Sequence, residues 1–217
     1  MAFVITVAQR KGGAGKTTLA AHLSAALAGR GFAVAAIDLD EQQSFTAWAR
    51  RRLRQAGAAP VALDEEMRLS LGYRLAKLQD RADVVIIDTP PSAGRDVAGA
   101  MRAADLILAP MQLSPLDLDA SLPTARMIGA SLKPGLFVVN RAPPRARIAD
   151  LIREKMVESR LPLARAEIGG RAVFAESLAA GLTAGETDPS GAGAREIDRL
   201  TDQVADLAGP RLQARRA

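Results

Sequence analysis

The sequence predicts an α/β fold, a doubly wound and mostly parallel sheet with helices on both faces. Three observations predict it. Short, unbroken apolar runs alternate with segments of helical period, and Val84-Val85-Ile86-Ile87 is the clearest such run. Strands of that kind are buried on both sides, as in a parallel sheet covered by crossover helices. The residues suited to chemistry, namely the glycine loop 12–15, Asp38 and Asp40, Asp88, and Asn140, each follow directly after such a run. Ligands of open α/β sheets bind at the carboxyl ends of the strands, where these residues would gather.

The chain opens on Ala-Phe-Val-Ile-Thr-Val-Ala, a strand, and continues Gln-Arg-Lys-Gly-Gly-Ala-Gly-Lys-Thr-Thr. A strand that breaks into a glycine-rich loop ending in Gly-Lys-Thr reads as a phosphate cradle. Gly12, Gly13 and Gly15 allow the backbone N–H groups around Ala14 to turn towards an anion. A helix starting near Lys16 and Thr18 points the positive end of its dipole at the same place. Lys16 is expected across the β- and γ-phosphates, and the Thr17 hydroxyl on Mg²⁺. The usual P-loop has glycine at position 10; here it is Arg10, followed by Lys11.

Leu19, Leu23 and Leu27 recur at helical spacing and give a helix with one apolar stripe ending at Gly31; His22 on it is expected to be a partly exposed helix residue. Phe32–Ile37 reads as a strand, and Ser44 as the cap of a helix through Trp48 and the basic run Arg50–Arg54, taken as an exposed face. Pro60–Leu63 is a short strand, Leu69–Leu78 a helix, Asp83–Asp88 a strand, 95–103 a helix, and Leu106–Pro110 a strand. Ser114-Pro115-Leu116-Asp117 carries an N-cap serine, proline at N1 and an acid at N3, so a helix should run to about Leu132. Leu136–Asn140 is a strand, 147–159 a helix, 163–168 a short strand, and 172–180 and 191–208 are helices.

No composition shift interrupts 1–208, which is expected to form one domain, with 209–217 a basic tail. The 217 residues contain no cysteine, which excludes disulfides and thiolate metal sites and agrees with a reducing cytoplasm. No apolar run approaches the roughly 20 residues of a bilayer span, and no secretory signal is read at the start. The net charge of +5 permits attraction to nucleic acid or anionic lipid.

Lys11-Gly12-Gly13-Ala14-Gly15-Lys16-Thr17 resembles the deviant Walker A loop of the ParA/MinD branch of P-loop ATPases. So do Asp38–Gln42 (D-x-D-x-Q), Asp88–Pro91 (D-T-P-P), and the segments 104–120 and 170–183; the resemblance runs from residue 2 to about 207 and is to short, ParF-like partition proteins. It implies ATP and Mg²⁺ as cofactors and a P-loop NTPase fold. Lys11 resembles the signature lysine that reaches the partner subunit's phosphates in a nucleotide-sandwich homodimer, where charge stabilises the transition state. Asp40 would orient or deprotonate the attacking water, Asp88 would hold Mg²⁺ through water and couple the γ-phosphate to a switch at 89–94, and Asn140 would read the adenine edge or serve as a turn residue. Asp38 is a second metal candidate or a plain strand-end acid. Glu41 replaces the proline that is usual in the family's D-P-Q, which should loosen that loop.

The resemblance further implies ATP hydrolysis stimulated by a ParB-like or cargo-adaptor protein, non-specific DNA binding through phosphates, and a cytoplasmic, nucleoid-associated location. The cargo would be a plasmid, a chromosome or a protein cluster. Arg171 is the first candidate for DNA contact, with Arg145, Arg147, Arg165, Arg195, Arg199 and the tail arginines Arg211, Arg215 and Arg216. A MinD-like membrane ATPase is the alternative, but after Gly209 only Leu212 is bulky and apolar, so no membrane partner is expected. A metabolic ligase on the same fold would need a second-substrate pocket, for which no residues stand out.

Overall fold

Apolar runs do become buried parallel strands. The computed structural model describes residues 1–55, 57–64, 66, 69–143, 147–159, 161–209 and 212, with the backbone alone at 147–149. The strands are β1 (Phe3–Val7), β2 (Val34–Asp38), β3 (Val61–Asp64), β4 (Val84–Asp88), β5 (Leu106–Met111) and β6 (Gly135–Val139). They form one sheet in the order β3-β2-β4-β1-β5-β6, with every neighbouring pair parallel. Between and after them lie α1 (Lys16–Gly29), α2 (Ser44–Arg52), α3 (Leu71–Leu78), α4 (Arg95–Ala103), α5 (Pro115–Ser131), α6 (Arg147–Glu158), α7 (Ala172–Ala179), α8 (Ala184–Thr187) and α9 (Ala192–Ala208).

Alternation along the strands divides the core into two layers. Phe3, Ile5, Val7, Val84 and Ile86 pack with α1, α2 and α9 on one face. Val4, Val85 and Ile87 pack with Leu75 and Ala100 of α3 and α4 on the other, and Ile107, Phe137 and Val139 with Met101, Ile128 and Ile152 of α4, α5 and α6. The register aligns Val7 and Asp38 with Asp88, so the ends of β1, β2 and β4 lie side by side. Among the described residues no helix is long and apolar enough to cross a membrane.

Several expectations need correction. Residues 163–168 are not a strand: they run beside the edge strand β6, where Ala164 N donates to the Phe137 carbonyl and Ile168 N to the Val139 carbonyl, but the pairing is an isolated bridge at Leu163 and no continuous ladder. The Arg165 N–H, on the side of the segment away from β6, donates to Gln203 Oε1 of α9. Ser44 is the first residue of α2 and not its cap; Gln43 holds that place at φ 51°, and Asp38 supplies the acceptor for Thr46 N.

Two side chains expected near the surface are buried. His22 is 1% exposed because α7 and α9 cover the outer side of α1, with the Phe174 ring edge-on at 5.1 Å. Arg52, within the run read as an exposed face, is 2% exposed. Its guanidinium lies over Trp48 and makes a bidentate pair with Glu186 at 2.7 and 2.8 Å. Trp48 itself is core. Helix α8 was not anticipated, although Thr183-Ala184-Gly185-Glu186 spells a capping box, and both of its reciprocal bonds form.

Candidate nucleotide site

The cradle sits between β1 and α1. Gly13 and Gly15 take φ of 71° and 95°, the left-handed region that glycine occupies without steric cost. Gly15 needs to be glycine for a second reason: a Cβ there would lie 2.1 Å from Asn140 Nδ2. Asn140 donates to the Ala14 carbonyl at 2.8 Å and accepts from Arg141 N at 3.0 Å. It therefore braces the loop, a role that the sequence reading missed, while half of its amide hydrogen-bonding capacity stays open for another partner.

Lys16, the first residue of α1, is largely buried, and burial lowers its pKa against the raising influence of Asp88 and Asp40. Thr17 Oγ1 donates to Asp88 Oδ2 at 2.5 Å. Asp88 is pushed up to about 7, first by burial; the Thr17 bond opposes this and the Asp38 charge adds to it. Its Oδ1 is buried without a hydrogen-bond partner. A carboxylate oxygen left bare beside a threonine hydroxyl fits a hard cation, which would supply the missing positive charge. Among the described residues no cluster of three or more His, Asp or Glu forms a protein cage. Mg²⁺ would thus be held with phosphate and water ligands, as its hydration chemistry favours.

Asp38 serves the protein backbone: Oδ1 accepts Asp40 N at 3.0 Å and Oδ2 accepts Thr46 N at 2.9 Å. It ties the turn after β2 to the start of α2. Asp40 is half-buried in that turn, and its Oδ1 accepts Gln42 N at 3.0 Å. After β4, Thr89 Oγ1 donates to the Val7 carbonyl at 2.9 Å, and residues 91–96 are exposed.

Lys11 lies ahead of the glycines, and its Nζ meets Asp117 Oδ1 of α5 at 2.6 Å. Asp117 also accepts from the Ser114 hydroxyl, and Ser114 Oγ caps Asp117 N at 3.1 Å, the predicted N-cap. A cavity of about 340 Å³ opens at the first turn of α1, lined by Thr18, Asn140, Arg141, Gly169, Gly170, Arg171, Phe174 and Ala175.

Three of the candidate DNA-contacting arginines, Arg165, Arg171 and Arg199, line one adjoining cavity of about 550 Å³. Arg171 forks onto Glu196 at 2.7 Å and Arg165 onto Asp206 at 2.9 Å. Arg195 donates to the Ser190 carbonyl and lies outside that cavity. Arg145 and the tail arginines lie outside the described residues, as does the side chain of Arg147.

Together these elements define a nucleotide-binding protein of the P-loop class, with a second lysine placed ahead of its glycines. Comparison with known proteins gives the family. The family model described as "ATPase MipZ" matches residues 3–125. Maintenance of carboxysome distribution protein A of Halothiobacillus neapolitanus is 31% identical over 211 residues, 94% of this chain and 96% of that protein. Protein ParA of Rhizobium radiobacter is 38% identical over 122 residues, 55% of this chain and only 52% of that relative. The chain belongs to the MipZ-type ParA/MinD family of P-loop ATPases, of the partitioning and positioning kind. The same fold is seen in the septum site-determining protein MinD from Pyrococcus horikoshii complexed with Mg-ADP, with TM-score 0.76 and 21% identity over 97% of this chain and 99% of that one.

Proposed function

We propose that this chain is an ATP-operated positioning switch that closes as a homodimer around two nucleotides. The observation that carries the reading is the placement of Lys11. It stands at the start of the loop with its Nζ paired to Asp117 of α5, while Lys16 has Asp88 and Asp40 as its charged neighbours. One cradle needs one lysine for its phosphates, so a second lysine held aside is suited to the phosphates of another copy.

In this reading Gly12–Thr18 wrap the phosphates, Thr17 and Asp88 hold Mg²⁺, and the cavity beside Asn140 and Phe174 takes the base. Bound Mg²⁺ would supply charge neutralisation at the phosphate oxygens. Asp40 orients the attacking water or takes its proton. The water oxygen bonds to the γ-phosphorus as the bond to the bridging oxygen breaks, giving ADP and phosphate. Lys11 from the second copy offsets the charge that develops. Hydrolysis, stimulated by a ParB-like or cargo-adaptor protein, ends the dimer state.

Non-specific DNA is the proposed track, gripped through its phosphates by the arginines around the 550 Å³ cavity and by others of the set above. Carboxysome distribution, in the name of one relative, is one form of such positioning work, and the cargo here is of that general kind. The test is Lys11→Ala in light scattering with ATP and Mg²⁺. The wild type should dimerise, while the variant should bind nucleotide and stay monomeric. A variant that still dimerises would end the trans-lysine role.

A further inference from the structure

The loop is braced from two sides, and only one brace touches its phosphate-binding half. Asn140, at the end of β6, holds the Ala14 carbonyl. Residues 9–11 are held from α5 instead. Asp117, Ser121 and Thr124 are four and three residues apart, so they share one helix face, and all three are buried. Buried polar side chains need partners, and these find them on the strand-to-loop junction.

Gln9 is their counterpart, itself 2% exposed. Its Oε1 accepts from Thr124 Oγ1 at 2.6 Å, and its Nε2 donates to Ser121 Oγ at 3.2 Å and to the Pro110 carbonyl at 3.3 Å. Thr124 Oγ1 also accepts from Arg10 N at 3.3 Å, and Gln9 Oε1 from Lys11 N at 3.5 Å. One hydroxyl thus fixes the Gln9 side chain and the Arg10 backbone together, and Lys11 is the next residue. A hydroxyl that donates and accepts at once can do this; an aliphatic group of the same shape cannot.

We infer that Thr124, acting through Gln9 and the Arg10 backbone, is a positioning residue for Lys11, independent of the brace that shapes the phosphate cradle. This rests on the proposed role of Lys11 in a second copy's site. The expected signature is a separation of two functions. Loosening the α5 brace lets the Lys11 backbone drift and weakens the ATP dimer. The 12–16 half keeps its own brace and still binds nucleotide.

The experiment uses the full chain with Thr124→Val and Thr124→Ser. ATP-induced dimerisation is followed by sedimentation, and ADP affinity by titration of a fluorescent ADP, which does not depend on dimer formation. Thr124→Val should weaken the dimer about tenfold, the scale of one buried hydrogen bond lost with its partner left unpaired. It should leave ADP affinity unchanged, and Thr124→Ser should behave as wild type. Should Thr124→Val fail to fold, Gln9→Met removes the same brace from the loop side, and the same outcomes apply. A normal dimer in the variant, a parallel loss of ADP affinity, or failure of serine to restore the dimer overturns the inference alone. A wild-type chain that stays monomeric with ATP overturns the reading of Lys11, and this inference with it.

Discussion

Protonation of His22 should cost the fold stability in mild acid. Its Nδ1 lies 2.9 Å from the Thr18 carbonyl and so carries the proton, which leaves Nε2 with a bare lone pair. Nε2 is buried without a partner, and burial pulls the pKa down to about 4, against small raising effects of Thr18 and Glu186. The unfolded chain titrates near the ordinary 6.5. Between these values the unfolded state binds the proton and the native state does not, so stability falls as pH falls. The contribution is present in full above 6.5, is lost on the way to about 4, and changes no further below that. The whole span amounts to about 3 kcal/mol, of which about 2 kcal/mol should vanish between pH 7 and pH 4.5. Urea unfolding of the wild type and of His22→Leu across that interval isolates the term, because every other titrating group is common to both. The gap between the two curves should shift by the stated amount in favour of the leucine variant as pH falls. Parallel curves would refute the reasoning, and would mean that Nε2 finds an acceptor or water when protonated.

Two further outcomes follow from the loop. Asp117→Asn removes the charge that holds Lys11 in its own chain; the pair joins a buried carboxylate to a lysine 36% exposed. A charge-assisted bond at a partly exposed site is worth about 1 kcal/mol and a homodimer releases two of them, so the ATP-dependent dimer should tighten about thirtyfold in sedimentation. A weaker dimer would show that Asp117 helps Lys11 to act. Gly15→Ala places a Cβ against Asn140 at a φ of 95° and should lower nucleotide affinity about a hundredfold in a fluorescence titration. Adding Asn140→Ala relieves the collision but not the backbone strain, so part of the loss should return; no recovery would mean that strain alone dominates.

The site was legible in sequence wherever neighbours along the chain make it. The glycine loop, Lys16-Thr17, the strand ending in Asp88 and the Ser114 cap are local patterns with local causes. What stayed hidden depends on distant packing. Nothing near His22 announces that α7 and α9 cover it. Likewise the buried Arg52 depends on Glu186, 134 positions later, for its charge partner. Asp38 looks like a candidate ligand in D-x-D, yet its two oxygens organise the turn that carries Asp40. The arginine list was chosen by charge, and charge alone did not say that Arg165 and Arg171 face Asp206 and Glu196 within the chain.

That pairing has a mechanistic consequence for the whole site. The cations of the candidate site have carboxylate companions: Lys16 with Asp88 and Asp40, Lys11 with Asp117, Arg171 with Glu196. Each charge is held in place by a carboxylate of the protein, although the Lys11 and Arg171 side chains stay partly exposed. Arrival of an anion is then an exchange of partners, and its net free energy is a difference between two ion pairs and not the full strength of either. Such an exchange is easily biased. For Lys11 the competitor is Asp117 on α5, and the same helix fixes the Lys11 backbone through Thr124 and Gln9. Both the holding and the release of the second lysine therefore depend on one helix, and a small displacement of α5 changes them together. Lys16 is insulated from that movement by its place on α1 and by the Asn140 brace. On the proposed roles of Lys16 and Lys11, nucleotide retention and dimer pairing would then be adjusted separately, which is the separation that a partner-controlled positioning switch requires.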